Sequence, residues 1–230
     1  MNQSEKRKKQ IQSNILQLTK EIPSHINLIS VSKRFPIDDI QSAYEVGLRD
    51  FGENRVDELL EKSQKAIELG LNDIRWHFIG NLQSNKINKL VRCQNLEIIH
   101  SIDRIEILEK LDNSIKVSHR PLKYFVQIKT STEDEKYGFA DIGDIERAVN
   151  FVSTKLSFHG FMTMSEIRTN DFESSARTCF EQLERMKREW EEKTDKRIYI
   201  SMGMSADYKI AMDYSTNYIR LGTLIFGDRE

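Results

Sequence analysis

Asn27-Leu28-Ile29-Ser30-Val31-Ser32-Lys33 is the run on which the fold turns. Side chains two apart share one face of a strand, so Ile29, Val31 and Lys33 point the same way, and a lysine amine follows two branched aliphatics. Seven further apolar runs succeed it: Asp50 to Asn54, Arg75 to Gly80, Glu97 to Asp103, Leu122 to Lys129, Leu156 to Thr163, Arg197 to Met204 and Tyr218 to Gly222. Helix-like patterns lie between them. Ala176, Cys179, Phe180, Leu183, Met186 and Trp190 make one apolar stripe on a helix that Asn170 or Asp171 could cap. Ile142, Ile145, Val149 and Val152 make a second stripe, and Val56, Leu59, Leu60 and Ile67 a third. Strands that alternate with helices pair in parallel through right-handed crossovers, and eight such units imply an α/β fold closed as a (β/α)8 barrel. An open doubly wound sheet is the competing arrangement.

The composition fits one barrel domain over residues 1–230, with residues 1–24 as an extra N-terminal helix docked on it. Ile11, Ile15, Leu18 and Ile22 recur at helical spacing after the basic run Lys6-Arg7-Lys8-Lys9, which rules against a continuous apolar signal segment. No linker, repeat or low-complexity tract marks a boundary. With 38% hydrophobic and 31% charged residues the chain is too polar for a membrane protein. A net charge of -1 provides no field for nucleic acid or an anionic membrane. Cys93 and Cys179 form neither a CxxC pair nor a disulfide framework, which suits the cytoplasm.

In such a barrel the chemistry sits where the strands end. Lys33 then lies at the mouth, where loss of water or a nearby cation would free its amine for Schiff-base formation; an ordinary solvated lysine is the bland alternative. The second run delivers Glu53 and Asn54 to the same rim, where either could merely cap a helix. Gly80 to Lys86 has the span of a P-loop, but Asn85 replaces its second glycine and Ile87 its Ser/Thr, so nucleotide triphosphate binding is rejected. His77, alone among aromatics, reads as a hydrogen-bonded core residue. Ser201-Met202-Gly203-Met204-Ser205 and Arg220-Leu221-Gly222-Thr223 end the last two strands, where barrels often bind phosphate, and offer hydroxyls, glycine amides and a guanidinium. Gly203 and Gly222 could instead be turn glycines. No nucleophile elbow, HExxH, Cys/His cluster or GxGxxG is present, so no metal site is expected.

Val31-Ser32-Lys33, Phe51-Gly52-Glu53-Asn54, the run Trp76 to Lys86, Ser201 to Ser205 and Arg220 to Thr223 occur in this order, and with Lys136 to Phe139 and Phe158 to Met164 they resemble the YggS/PROSC family of pyridoxal phosphate homeostasis proteins. The resemblance spans nearly the whole chain. It implies a barrel akin to the N-terminal domain of alanine racemase, with pyridoxal 5′-phosphate (PLP) held on Lys33. Ser205, Gly222 and Thr223 would bind the phosphate, Arg220 would face the pyridine nitrogen and Asn54 would line the ring. Arg34-Phe35 departs from the small polar residue more usual after this lysine.

A guanidinium can only donate, so a pyridine nitrogen opposite Arg220 must accept and stay unprotonated. Such a ring is a weak electron sink, which points to custody of the cofactor and away from demanding catalysis. No catalytic residue is therefore assigned, and the expected role is sequestration of PLP and its supply to PLP-dependent apoenzymes, by a monomer. The alternative is a PLP-dependent amino-acid racemase using Lys33 with His77 or a tyrosine. It is disfavoured because little chain follows the eighth run to build a second domain. A mere interaction scaffold is the third reading.

Overall fold

Eight parallel strands pair in the order β1 to β8, and β8 pairs back with β1 to close the barrel. The computed structural model describes residues 2–115, 121–130, 137–166, 169 and 171–228. The strands are β1 (Asn27–Val31), β2 (Asp50–Glu53), β3 (Arg75–Phe78), β4 (Leu96–Ile102), β5 (Leu122–Gln127), β6 (Leu156–Met162), β7 (Tyr199–Met204) and β8 (Tyr218–Leu221). Every expected run overlaps one of them, and β4 begins one residue before its run, at Leu96. Most end one or two residues early, because the last polar residues of each run leave the ladder to form the mouth. The open doubly wound alternative is overturned by the β1–β8 pairing, which joins Asn27 to Tyr218 and Ile29 to Arg220.

Helices fill the outside. They are α1 (Gln3–Glu21), α2 (Ile37–Tyr44), α3 (Val56–Glu68), α4 (Ile87–Leu90), α5 (Ile105–Ser114), α6 (Ile142–Val149), α7 (Phe172–Thr194), α8 (Tyr208–Ala211) and α9 (Thr223–Phe226). Asn2 opens α1 with a reciprocal capping box to Glu5, and Ile11, Ile15 and Leu18 form its buried face. The Arg7 guanidinium pairs with the buried Asp39 carboxylate at 2.5 Å, tying α1 to α2. Asp171 caps α7 through the Ser174 N–H, and of the expected stripe Ala176, Cys179, Phe180, Leu183 and Trp190 are buried; Asn170 lies outside the described residues. The α6 stripe is shorter than the sequence pattern. The helix stops at Val149 with Ile145 and Ala148 as its buried face, so Ile142 stays exposed and Val152, beyond the helix end, is 94% exposed.

Two apolar groups result. The larger lies between strands and helices and includes Phe51, Trp76, Phe78, Leu59, Phe180 and Ile15. The smaller, Ile29, Ile98, Phe125, Met162 and Tyr218, lies inside the barrel. Helix α1 belongs to the first group, so its docking is structural. Ile15 is fully buried, and Ile15→Ala should cost about 2–5 kcal/mol by lost transfer energy and a residual cavity. Urea denaturation measures this, and a change below about 1 kcal/mol would show that α1 is not part of the cooperative core.

Candidate functional site

The mouth is framed by the chain just beyond β1, β2, β7 and β8. Lys33 stands two residues past the end of β1, half-buried, in a turn closed by the Phe35 N–H donating to the Ser32 carbonyl at 3.0 Å. Arg34 occupies the third position of that turn with φ 67°, a left-handed conformation that usually calls for glycine. The turn holds because it is tethered from below. The Arg34 N–H donates to the Glu58 carboxylate of α3. The Lys62 ammonium, 6% exposed, donates to the Ser32 carbonyl, Glu53 Oε1 and Glu58 Oε1, each at 2.7 Å. Ser32 Oγ donates to the same Glu53 oxygen at 2.7 Å.

Glu53 therefore does not deliver its carboxylate to the rim. It faces outward under α3, fully buried, and its Oε2 has no hydrogen-bond partner among the described residues. Burial raises its pKa to about 7 against the opposing pull of Lys62. Asn54, one residue on, is exposed at the rim. The Ser32 N–H donates to the Gly52 carbonyl at 3.1 Å, which holds the ends of β1 and β2 side by side and brings Lys33 and Asn54 to the same edge of the mouth.

The other edge is built by the last two strands. Gly222 donates its N–H to Ser205 Oγ at 3.3 Å, joining the two anion-binding candidates. A Cβ on Gly222 would lie 3.3 Å from the Val31 carbonyl, so β8 approaches β1 at the point from which Lys33 departs. Gly222 has φ -117° and is chosen for this approach, whereas Gly203, with φ 93°, needs glycine for its backbone as well as for space. Thr223 is exposed and opens α9. The Ser205 turn is fixed by Asp207: its N–H donates to the Met204 carbonyl at 3.1 Å, and its buried carboxylate accepts from the Met204 N–H at 2.5 Å and from the Ser165 hydroxyl.

Arg220 points inward from β8 and is 4% exposed. It donates to Ser201 Oγ at 2.6 Å and to the Thr163 carbonyl at 3.0 Å. Burial lowers its pKa to about 10, partly offset by Asp207, and leaves it protonated at neutral pH. His77 is bonded through both ring nitrogens, to His100 and Asp50, each at 2.9 Å. It is a hydrogen-bonded residue of the barrel interior, as its aromatic surroundings implied. Lys136 lies outside the described residues.

The family described as alanine racemase, N-terminal domain, matches residues 7–230. The chain is 34% identical over 229 residues to the pyridoxal phosphate homeostasis protein of Mus musculus, covering 96% of this chain and 83% of that one. With the protein of the same name from Vibrio alginolyticus it shares 33% over 233 residues, covering 96% and 98%. This chain belongs to the alanine racemase N-terminal-domain family, among the pyridoxal phosphate homeostasis proteins. PipY of Synechococcus elongatus, in its structure with PLP bound, superposes with a TM-score of 0.84 at 30% identity, covering 95% of this chain and 100% of PipY. Alanine racemase from E. faecalis superposes with a TM-score of 0.75 at 18% identity, and 58% of it is covered. That likeness is one of fold.

Sequence reasoning found the rim and missed what supports it. Lys62, Glu58 and Asp207 were not singled out by any sequence pattern. A lysine four residues after a glutamate, on the face next to Leu59 and Ala66, was the available signal for a buried pair. The Glu53 carboxyl ordinarily titrates near 4.5 and in the fold near 7. The folded chain thus binds this proton more tightly, and stability falls as pH rises from about 4.5 to about 7. Glu53→Gln removes that dependence, so its stability relative to the parent should climb by up to about 3 kcal/mol across the window. Urea unfolding at both ends of the window gives the comparison; parallel profiles would refute the account.

Proposed function

We propose that this chain binds pyridoxal 5′-phosphate and serves in its intracellular homeostasis, holding the cofactor on Lys33 as a Schiff base and passing it to PLP-dependent apoenzymes. The observation that carries the reading is the placement of the Lys33 turn against the Ser205–Gly222 junction on adjacent strand ends, with Gly222 packed on the Val31 carbonyl two residues before Lys33. An amine and an anion cradle at that separation along one rim suit a molecule with an aldehyde and a phosphate. The pyridoxal phosphate homeostasis proteins at 33% and 34% identity, and PipY with PLP bound, support the same cofactor.

The residues fit the group. Ser205 Oγ, the Gly222 backbone and the Thr223 hydroxyl offer donors for a phosphate, and the bare Gly222 leaves room for one between β8 and β1. Arg220 offers donors to a ring nitrogen from within the barrel, and Asn54 closes the opposite edge. When bound, PLP supplies an aldehyde that condenses with amines and a ring that withdraws electrons. The protein contributes an amine to hold the aldehyde, donors to hold the phosphate, and a ring partner that gives up no proton near neutral pH. This set favours keeping the cofactor over driving chemistry with it. The racemase reading loses its named histidine, since both nitrogens of His77 are engaged inside the barrel. No helix among the described residues is long and apolar enough to cross a membrane. We place the protein in the cytoplasm as a monomer acting through a single barrel domain.

Purified protein incubated with PLP should turn yellow. Borohydride reduction followed by peptide mapping should put the label on Lys33, and Lys33→Ala should lose both colour and label. A Lys33→Ala protein that binds PLP as tightly and as visibly as the parent overturns the assignment. The supply half is read separately: holoprotein should activate an apoenzyme faster than PLP leaves spontaneously into solution.

A further inference from the structure

The interior of this barrel contains a line of polar side chains that the cofactor site does not by itself require. Ser201 Oγ accepts from Arg220 Nη1 at 2.6 Å and lies 2.9 Å from His100 Nδ1. His100 Nε2 lies 2.9 Å from His77 Nδ1, and His77 Nε2 lies 2.9 Å from Asp50 Oδ1. Asp50 and Arg75 are the first residues of β2 and β3, at the end of the barrel away from the mouth. Arg75 pairs with Asp50 there through contacts of 2.7 Å and 2.5 Å. Ser201, His77 and His100 are at most 1% exposed.

Both ends of this line are chemically fixed. A guanidinium can only donate and an ionised carboxylate can only accept. Asp50 stays ionised, since hydrogen bonds from His77 and Arg75 outweigh its burial and bring its pKa down to about 2. His100 is neutral, because burial first, and with it the positive charge of Arg220, pushes its pKa well below the ordinary histidine value. With both rings neutral and protonated on Nε2, every donor has an acceptor: Arg220 to Ser201, Ser201 to His100, His100 to His77, His77 to Asp50. If His77 were instead doubly protonated, the His100 tautomer would reverse and donate to Ser201. Ser201 Oγ would then receive two donors, and its own proton would have no acceptor among the described residues. A buried donor left unmade costs about 1–3 kcal/mol, which selects the one-way arrangement.

We infer that Asp50, His77, His100 and Ser201 are positioning residues that together hold the Arg220 guanidinium, so that a carboxylate at the closed end of the barrel orients the group presented at its mouth. The chain makes Arg220 rigid and spends one of its N–H groups inward, while the Thr163 carbonyl takes a second. The N–H groups that remain are those a ligand at the mouth can use. Asp207 offsets part of the arginine's charge without a hydrogen bond to it, and among the described residues no carboxylate bonds the guanidinium to compete for those donors. The role of the group at the mouth rests on the function proposed above; the wiring of the chain does not.

The test separates the two. Nitrogen-15 spectra of the protein without PLP should show His77 and His100 both as neutral Nε2–H tautomers near neutral pH. A doubly protonated His77, or either ring as the Nδ1–H tautomer, overturns the proposal. In Asp50→Ala, His77 should change tautomer or protonation state, and the Arg220 guanidinium protons should exchange with solvent about tenfold faster, the equivalent of losing roughly one charge-assisted hydrogen bond. PLP affinity should fall by a similar factor. Tyr199→Phe, at the same end but outside the chain, should move none of these. Equal Arg220 exchange in Asp50→Ala and Tyr199→Phe overturns the coupling, whether or not either variant takes up PLP. Should Asp50→Ala fail to fold, the tautomers of the parent protein and Arg220 exchange in His77→Gln decide the matter by the same criteria.

Discussion

A guanidinium enclosed by a β-barrel is the constraint around which the rest of this molecule is arranged. Removing a cation from water costs several kcal/mol even after the protein relaxes, and direct pairing with a carboxylate is the usual remedy. Here the nearest acceptors of Arg220 are a hydroxyl and a backbone carbonyl. That choice leaves the guanidinium charged and its remaining donors unclaimed by any acid among the described residues. A directly paired carboxylate would have been more stabilising and would have compromised the same donors for a ring nitrogen. The low dielectric of the interior makes each link of a polar chain both stronger and less dispensable.

Such an interior is possible because stability is supplied elsewhere. Barrel interiors are usually filled by branched aliphatic layers, but among the described residues the buried inner apolar group here is the small set Ile29, Ile98, Phe125, Met162 and Tyr218. The cohesive burial lies outside the strands, where Phe51, Trp76, Phe78 and Phe180 pack under the helices and α1 extends the same group with Ile11 and Ile15. Alternation along each strand permits this division, since residues i and i+1 serve different layers. In β2, Phe51 belongs to the outer group and Asp50 to the inner chain. The outer layer carries the fold, and the inner layer is left to hold charges and hydrogens in place.

The same alternation explains what could be read from the sequence. All eight strands were legible because each is an apolar run with a polar end, and the polar ends located Lys33, Asn54, Ser205, Gly222 and Thr223 at the mouth. The overreach at Val152 has a local cause: the period continues past Val149, but the helix ends at Asn150, and periodicity alone cannot detect a stop. Glu53 was misplaced to the rim because parity was not carried through from β1. The pairing of Val31 with Gly52 puts Gly52 inside and sends Glu53 outward to Lys62. His77 and His100 lie in different strands, 23 residues apart, and nothing in either run announces that their rings meet. Contacts across strands depend on register and shear, which a single sequence does not display.

Residues at the mouth and residues that support them are therefore under different physical demands. Asn54 and Thr223 are exposed and can be replaced with little consequence for the fold, whereas Glu53, Lys62, Asp207 and Ser201 are buried and hydrogen-bonded within networks. Removing one partner from such a network leaves another polar group buried without its bond, so each support is coupled to the fold as well as to the site. The left-handed Arg34 illustrates the direction of that coupling. A side chain in this conformation costs roughly 1–2 kcal/mol, and the Glu58 carboxylate and Lys62 ammonium that bracket the turn are what make it the resting geometry. The lysine at the mouth is presented by a strained turn, and the strain is offset one layer below, between β2 and α3.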